Sequence, residues 1–127
     1  MSSYIIVFLG AGLGGALRHA VNLTAARALG AFPWGTLVVN VAGSLAMGLL
    51  AGWLAARSGA VWSGPARLFL ATGMLGGFTT FSAFSLDAVT LWERGEIGLA
   101  AAYAAGSVVL SIAALAVGLA AARALAS

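Results

Sequence analysis

The chain has 127 residues, of which 62% are hydrophobic and only 7% charged, with a net charge of +3. Those figures exclude an ordinary soluble domain and place the chain in the membrane class. The charged residues are six arginines, no lysine and three acids, a balance that in a membrane protein speaks of orientation and lipid contact rather than nucleic-acid binding. The absence of cysteine excludes disulfides and thiolate metal sites. Crossing a bilayer takes about 20 apolar residues per helix, so four spans and short connections use nearly the whole sequence. A single four-helix transmembrane domain over residues 1–127 is expected, with no soluble domain. The start, MSSYIIVFLG, lacks the basic region of a cleavable signal peptide, so the first apolar run is expected to be kept as a span.

The first span is expected from Tyr4 to Thr24. Small residues recur at helical spacing, Gly10 with Gly14 and Ala11 with Gly15, a pattern that lets helices approach closely in lipid. Arg18 lies toward the end of this span. An arginine at mid-helix costs about 2.5–3.5 kcal/mol to insert, less near the interface. It is therefore either a snorkelling anchor or a positive charge drawing anions into a vestibule. His19 beside it reads as interfacial. Ala25 to Phe32 is expected to be a connection carrying Arg27, and Pro33 suits the first turn of the next helix. Asn22-Leu23-Thr24 matches a glycosylation sequon, but at a span end it carries little weight.

The second span is expected from Trp34 to Ala56. Asn40 is its one strongly polar interior residue, and in lipid its amide must find partners. It serves either an interhelical hydrogen bond, worth about 0.6 kcal/mol on average, or donation to a passing anion. Gly43, Ser44, Gly48 and Gly52 read as a close-packing face. Residues 57–65, RSGAVWSGP, form a turn-rich connection. Trp34, Trp53, Trp62 and Trp92 all fall near span ends, as an aromatic belt does.

The third span, Ala66 to Trp92, holds the stretch GMLGGFTTFSAFSLD from Gly73 to Asp87. Membrane insertion needs none of its polar groups. Gly76-Gly77 weakens the helix, and an opening there would free carbonyls for a cation such as Na⁺ or amides of the following half-helix for an anion. Phe81 and Phe84 share a face with Asp87 one step further. They are either packing residues or rings whose positive edges meet a small, hard anion, with Thr80, Ser82 and Ser85 adding hydroxyls. After Glu93-Arg94-Gly95-Glu96, the fourth span is expected from Ile97 to about Ala122. Its Ser107 and Ser111 lie one turn apart, forming part of a polar stripe or bonding back to their own helix.

Four spans place both termini and the central connection on one side. That side carries Arg57, Arg67 and Arg123, against Arg27 and Arg94 opposite, with Arg18 unassigned. So small a bias does not fix one orientation and permits an antiparallel homodimer. The residues alone lead to a dimeric ion-conducting or transporting protein, with the ion undecided.

GTLVVNVAGS, GGFTTFSAFS and GxxxGGxxR in the first span closely resemble the Fluc fluoride channels, also called CrcB proteins. The resemblance covers all four spans, and TTFSxF is its most specific segment. It implies an antiparallel, dual-topology homodimer in the bacterial inner membrane, exporting fluoride passively through two pores. It also implies a structural Na⁺ at the dimer centre, held by carbonyls that fall on Gly76 and Thr79. The family's pore phenylalanines match Phe81 and Phe84, its pore asparagine Asn40 and its first-span arginine Arg18. Thr80 and Ser82 fall on its third-helix polar positions, with Ser107 and Ser111 contributing from span four. The chain departs from the family in having Ala83 where Thr is frequent, Asp87 for Glu and His19 for Tyr.

The competing class is a small dual-topology exporter of organic cations. Such a transporter trades protons on a carboxylate in its first span, and this first span has none. An enzyme using Ser82 with His19 has little support, because no acid is positioned to orient that histidine.

Overall fold

The computed structural model describes residues 2–56 and 64–126. Arg57 and Trp62, given above to the orientation count and the aromatic belt, lie outside the described residues. Among the described residues four helical segments are long and apolar enough to cross a membrane: Ser3–Leu29, Trp34–Ala56, Pro65–Glu93 and Ile97–Leu125.

The first helix begins on Ser2, whose hydroxyl accepts from the Ile5 amide at 3.4 Å, the usual way of satisfying a first-turn donor. It runs to Leu29, five residues beyond the expected end at Thr24, because 25–29 is a stretch of good helix formers. Arg27 therefore sits in its last turn, not in a connection. Gly30, with φ +86°, ends it, leaving a connection of residues 30–33. Pro33 stands just ahead of the second helix, and its carbonyl accepts from the Leu37 amide at 3.3 Å.

The third span is broken, although not where the glycine pair suggested. Pro65–Arg67 is α-helical, Leu68–Leu75 widens into a π-helix, and Gly76–Phe78 returns to α. The chain then extends at Thr79 (φ −85°, ψ 155°) and Thr80 (φ −152°, ψ 119°) before Phe81–Glu93 resumes the helix. Gly76 itself has ordinary helical angles. The glycines serve close contact instead: a methyl on Gly77 would run into the Ala11 backbone. The interruption falls near the middle of the 29-residue span. The trailing limb ends at Gly95, φ +80°, where the Gly95 and Glu96 amides donate to the Trp92 and Leu91 carbonyls, closing the helix as a Schellman turn does.

The first helix packs on the leading limb of the third span, and the second helix packs along the fourth. Glycine allows both approaches. Gly10 and Gly14 are buried against the Phe69 and Met74 carbonyls, while Gly48 faces Leu115 and Gly52 faces Leu119. Because both contacts advance together, the second and fourth helices run parallel. Gly15 meets nothing within 4 Å, so only part of the expected small-residue face is used within the chain. Few side chains are buried: Val39, Leu91 and Tyr103 are, whereas Phe8, Phe81, Leu86 and Val109 face outward. Such an apolar exterior suits lipid or a second copy as solvent, not water.

Candidate functional site

The break is organised by one side chain from the second helix. Asn40 donates from Nδ2 to the Thr80 carbonyl at 3.1 Å, and its Oδ1 accepts from the Thr80 amide at 2.8 Å. Both main-chain groups of Thr80 are thereby paired, as an adjoining strand would pair them. The Thr80 hydroxyl then accepts from the Ala83 amide at 3.1 Å and caps the trailing limb. These bonds take away helical donors upstream. The Thr80 amide, which an unbroken helix would aim at Gly76, goes to Asn40. The Ala83 amide, which would serve Thr79, goes to the Thr80 hydroxyl. The carbonyls of Gly76, Gly77, Phe78 and Thr79 thus all lose their in-helix amide donors, those of Gly76 and Thr79 because the amides that would serve them are engaged elsewhere.

Arg18 turns inward rather than snorkelling. Its Nε donates to the Gly77 carbonyl at 3.1 Å, across 59 residues of sequence. A cation at membrane depth thus meets a carbonyl left short of a donor by the break. The Thr79 side chain is engaged within its own limb, donating to the Leu75 carbonyl at 3.0 Å.

Around the break lies a groove of about 400 Å³. Asn40 and Ser44 line it from the second helix, Thr79, Thr80, Phe81 and Phe84 from the third span, and Ser107 and Ser111 from the fourth. Leu75, Met47, Val108, Ile112 and Leu115 complete its apolar walls. Ser107 is 4% exposed, and its hydroxyl has no hydrogen-bond partner among the described residues. A buried hydroxyl facing a groove without a partner is costly unless something in the groove accepts from it.

Of the residues singled out from sequence, Asn40, Thr80, Phe81, Phe84, Ser107 and Ser111 converge on this groove. Ser82 does not line it; its hydroxyl lies 3.3 Å from that of Thr80, on the outer side. Arg18 is also outside the groove. Ser85 bonds back to the Phe81 carbonyl at 2.9 Å and faces away. Ser44, read above as packing, is a groove residue.

The two phenylalanines differ in support. Their centroids are 5.5 Å apart with planes tilted by 51°. Phe84 packs on Tyr103 at 5.3 Å, and Tyr103 meets Phe32 edge-on at 5.6 Å. Phe81 is 76% exposed, so its outer face is open to lipid or to a second copy. Tyr103 is buried and donates its hydroxyl to Asp87 Oδ2 at 3.0 Å. Sequence reading missed this tyrosine. Its signal was a phenol in an alanine-rich span, which needs an acceptor in lipid, with Asp87 the acid inside a span. Among the described residues no three His, Cys or acidic side chains cluster as metal ligands, so a cation here would rely on main-chain oxygen.

Comparison with known proteins matches residues 5–119 to the family described as CrcB-like protein, Camphor Resistance (CrcB). The chain is 60% identical over 122 residues to Fluoride-specific ion channel FluC 2 of Nitrobacter hamburgensis, covering 95% of this chain and 97% of that one. It is 58% identical over 125 residues to Fluoride-specific ion channel FluC of Methylobacterium nodulans, covering 97% and 98%. The FluC of Paracoccus denitrificans is 57% identical over 123 residues, covering 97% and 96%. Matched over nearly its whole length and built from four spanning helices, the chain belongs to the CrcB-like family of multi-pass bacterial membrane proteins.

Proposed function

We propose that the chain is a fluoride-selective channel, not an enzyme, passing F⁻ down its electrochemical gradient out of the cytoplasm across the inner membrane. The observation that carries this reading is the convergence on one groove of the Asn40 amide, an unpartnered Ser107 hydroxyl, Ser111 and the Phe81–Phe84 pair. A dehydrating fluoride needs compact donors. Asn40 keeps one N–H after bonding Thr80. Ser107 offers an O–H that nothing else uses, and the rings offer positive edges. Thr80 starts the trailing limb, whose helix dipole puts partial positive charge at the groove. Arg18, bonded to Gly77 near the break, adds full positive charge outside the groove, as a vestibule cation that concentrates anions.

The working unit on this reading is an antiparallel, dual-topology homodimer with two pores. The exposed Phe81 ring and the outward apolar side chains favour a second copy as the groove's missing wall. The Gly76 and Thr79 carbonyls fit a structural sodium ion at the dimer centre: they are neutral main-chain oxygens whose helical donors are engaged elsewhere. Gly76 also lies exposed, where a second copy can reach it. Sodium bound there would supply a fixed positive charge tying two interrupted spans together.

The competing reading, a dual-topology exporter of organic cations, needs a carboxylate free to trade protons and substrate. Asp87 is instead bonded by a buried tyrosine. Fluoride efflux from proteoliposomes, with chloride as control, decides between them. Fluoride flux that follows its gradient without proton coupling supports the channel, and pH-driven cation exchange without fluoride flux overturns it.

A further inference from the structure

We infer that Thr72 is a contact residue between two copies of this chain. The π-helical stretch ahead of the break leaves its carbonyl without a donor on the outward face, and a second copy supplies one. This rests on the dimeric reading above and adds to it a residue that the groove does not use. The pairing pattern of the leading limb supplies the first observation. Leu68–Leu75 is π-helical and Gly76–Phe78 is α-helical. An α-helix pairs each amide with the carbonyl four residues back, a π-helix with the one five back. A chain returning from the second pattern to the first must pass over one carbonyl. The Gly76 amide still reaches five back, to Ala71, and also donates to the Gly73 carbonyl. By Thr79 the amide donates four back, to Leu75, at 3.0 Å. The carbonyl passed over is that of Thr72, which the Gly76 amide would serve in an α-helix. This loss is separate from the break, whose open carbonyls begin at Gly76.

Placement supplies the second observation. Gly73 and Gly77, the next residue along in each case, lie against Gly10 and Ala11 of the first helix. Thr72 and Gly76 therefore come to the flank that the first helix does not cover, and both are exposed. Thr72 lies inside the 29-residue third span, where an acyl chain has no donor to give and an open main-chain acceptor is costly. The same flank carries Gly76, whose carbonyl the break has stripped of its amide. Thr72 thus extends the face proposed for the second copy toward the start of the span. Its hydroxyl sets a donor beside the open acceptor. A second copy fits as the occupant because it brings polar groups of its own to that flank. A twofold contact also makes the same bond twice.

The test is the monomer–dimer equilibrium in liposomes, read by single-molecule subunit counting as the protein is diluted in lipid, with Na⁺ present throughout. Thr72→Val removes the hydroxyl at nearly constant shape. It should raise the dimer dissociation constant about tenfold: about threefold for an average interhelical hydrogen bond in a membrane, twice over in a twofold contact. Thr72→Ser keeps the hydroxyl and should stay near wild type. Thr72→Leu faces lipid in the single chain, so it leaves that fold intact, but it crowds the contact and should weaken the dimer at least as much. Thr24→Val is the control, because the Thr24 hydroxyl already donates to the Ala20 carbonyl in its own helix. The carbonyl itself is read by solid-state NMR of ¹³C-threonine protein in bilayers. The Thr72 carbonyl signal should move between the lipid-diluted monomer and the dimer, and that measurement on wild type decides if the variants fail to fold. Wild-type dimerisation of both Thr72→Val and Thr72→Leu, or an unmoved carbonyl signal, overturns the inference and leaves the dimeric reading intact. A wild-type chain that stays monomeric at every dilution overturns the dimeric reading and the inference with it.

Discussion

Asn40 and Thr80 exchange two hydrogen bonds, 3.1 and 2.8 Å long, and so hold open the third span at mid-membrane. In lipid a main-chain group without a partner costs several kcal/mol. The extended pair Thr79-Thr80 is therefore stable only because an amide side chain, carrying both donor and acceptor, stands where the helix would have supplied them. The same amide lines the groove, which links the stability of the break to the pathway.

Asn40→Ser should accordingly slow fluoride flux and lower thermal stability together. A serine is too short to reach both groups of Thr80, leaving at least one buried group unpaired at about 1–3 kcal/mol. Efflux assays and thermal unfolding in detergent check it. Full flux with unchanged melting would remove Asn40 from both roles.

Phe81→Ile and Phe84→Ile should each reduce flux sharply while leaving the dimer intact, because an aliphatic side chain has no positive edge to present. Their stability effects should differ. Phe84 packs at a tilt against Tyr103, a ring contact worth about 0.5–1.5 kcal/mol, whereas Phe81 is 76% exposed. Melting should fall for Phe84→Ile more than for Phe81→Ile in monomeric preparations. Wild-type throughput in either variant would make the rings packing elements.

The four spans, the short connection after Glu93 and the existence of an interruption were legible in composition and in the GGFTTFS stretch. Its location was not. Gly76-Gly77 looked like the weak point because glycine lowers helix propensity. The opening falls at Thr79-Thr80 because a residue 40 positions away replaces the helical donor and acceptor, and no local propensity reports that. Arg18 was ambiguous for the same reason: its partner, the Gly77 carbonyl, exists only once the break has formed. Ser44 was read with its glycine neighbours as packing, whereas the folded chain places it on the groove beside the break. Tyr103 and Asp87 were each visible, but their pairing needed two spans placed side by side.

Arg18→Leu should destabilise the fold by about 1.5–3 kcal/mol, the range for a hydrogen bond from a charged group, because the Gly77 carbonyl would be left without its donor. Arg18→Gln retains a donor without the charge and should recover part of that stability while still lowering flux. Thermal unfolding read beside efflux separates the two contributions. Equal melting for all three proteins would mean that the arginine acts through charge alone.

Tyr103→Phe and Asp87→Asn should show a coupled effect, since the phenol donates to the carboxylate at 3.0 Å within the membrane. Each single change removes the same bond, so the double variant should lose clearly less stability than the two single losses added together. Full additivity in a double-mutant cycle would show that the contact contributes nothing.

Replacing sodium by a large organic cation should lower the thermal stability of the dimer and slow flux, if the Gly76 and Thr79 carbonyls hold Na⁺. The Thr79 side chain should matter little to that site. Its hydroxyl already donates to the Leu75 carbonyl, a bond serine can also make, and the proposed ligand is the main-chain oxygen. Thr79→Ser should therefore keep the sodium dependence of melting, measured by titrating Na⁺ into sodium-free protein. A methyl on Gly76 would point into open space, with only the Ala71 carbonyl near it at 3.7 Å. Gly76→Ala thus tests the surface a second copy would meet without disturbing the chain's own packing. Loss of sodium dependence in Gly76→Ala with retention in Thr79→Ser is the expected pair of results, and the reverse pair would move the cation away from these carbonyls.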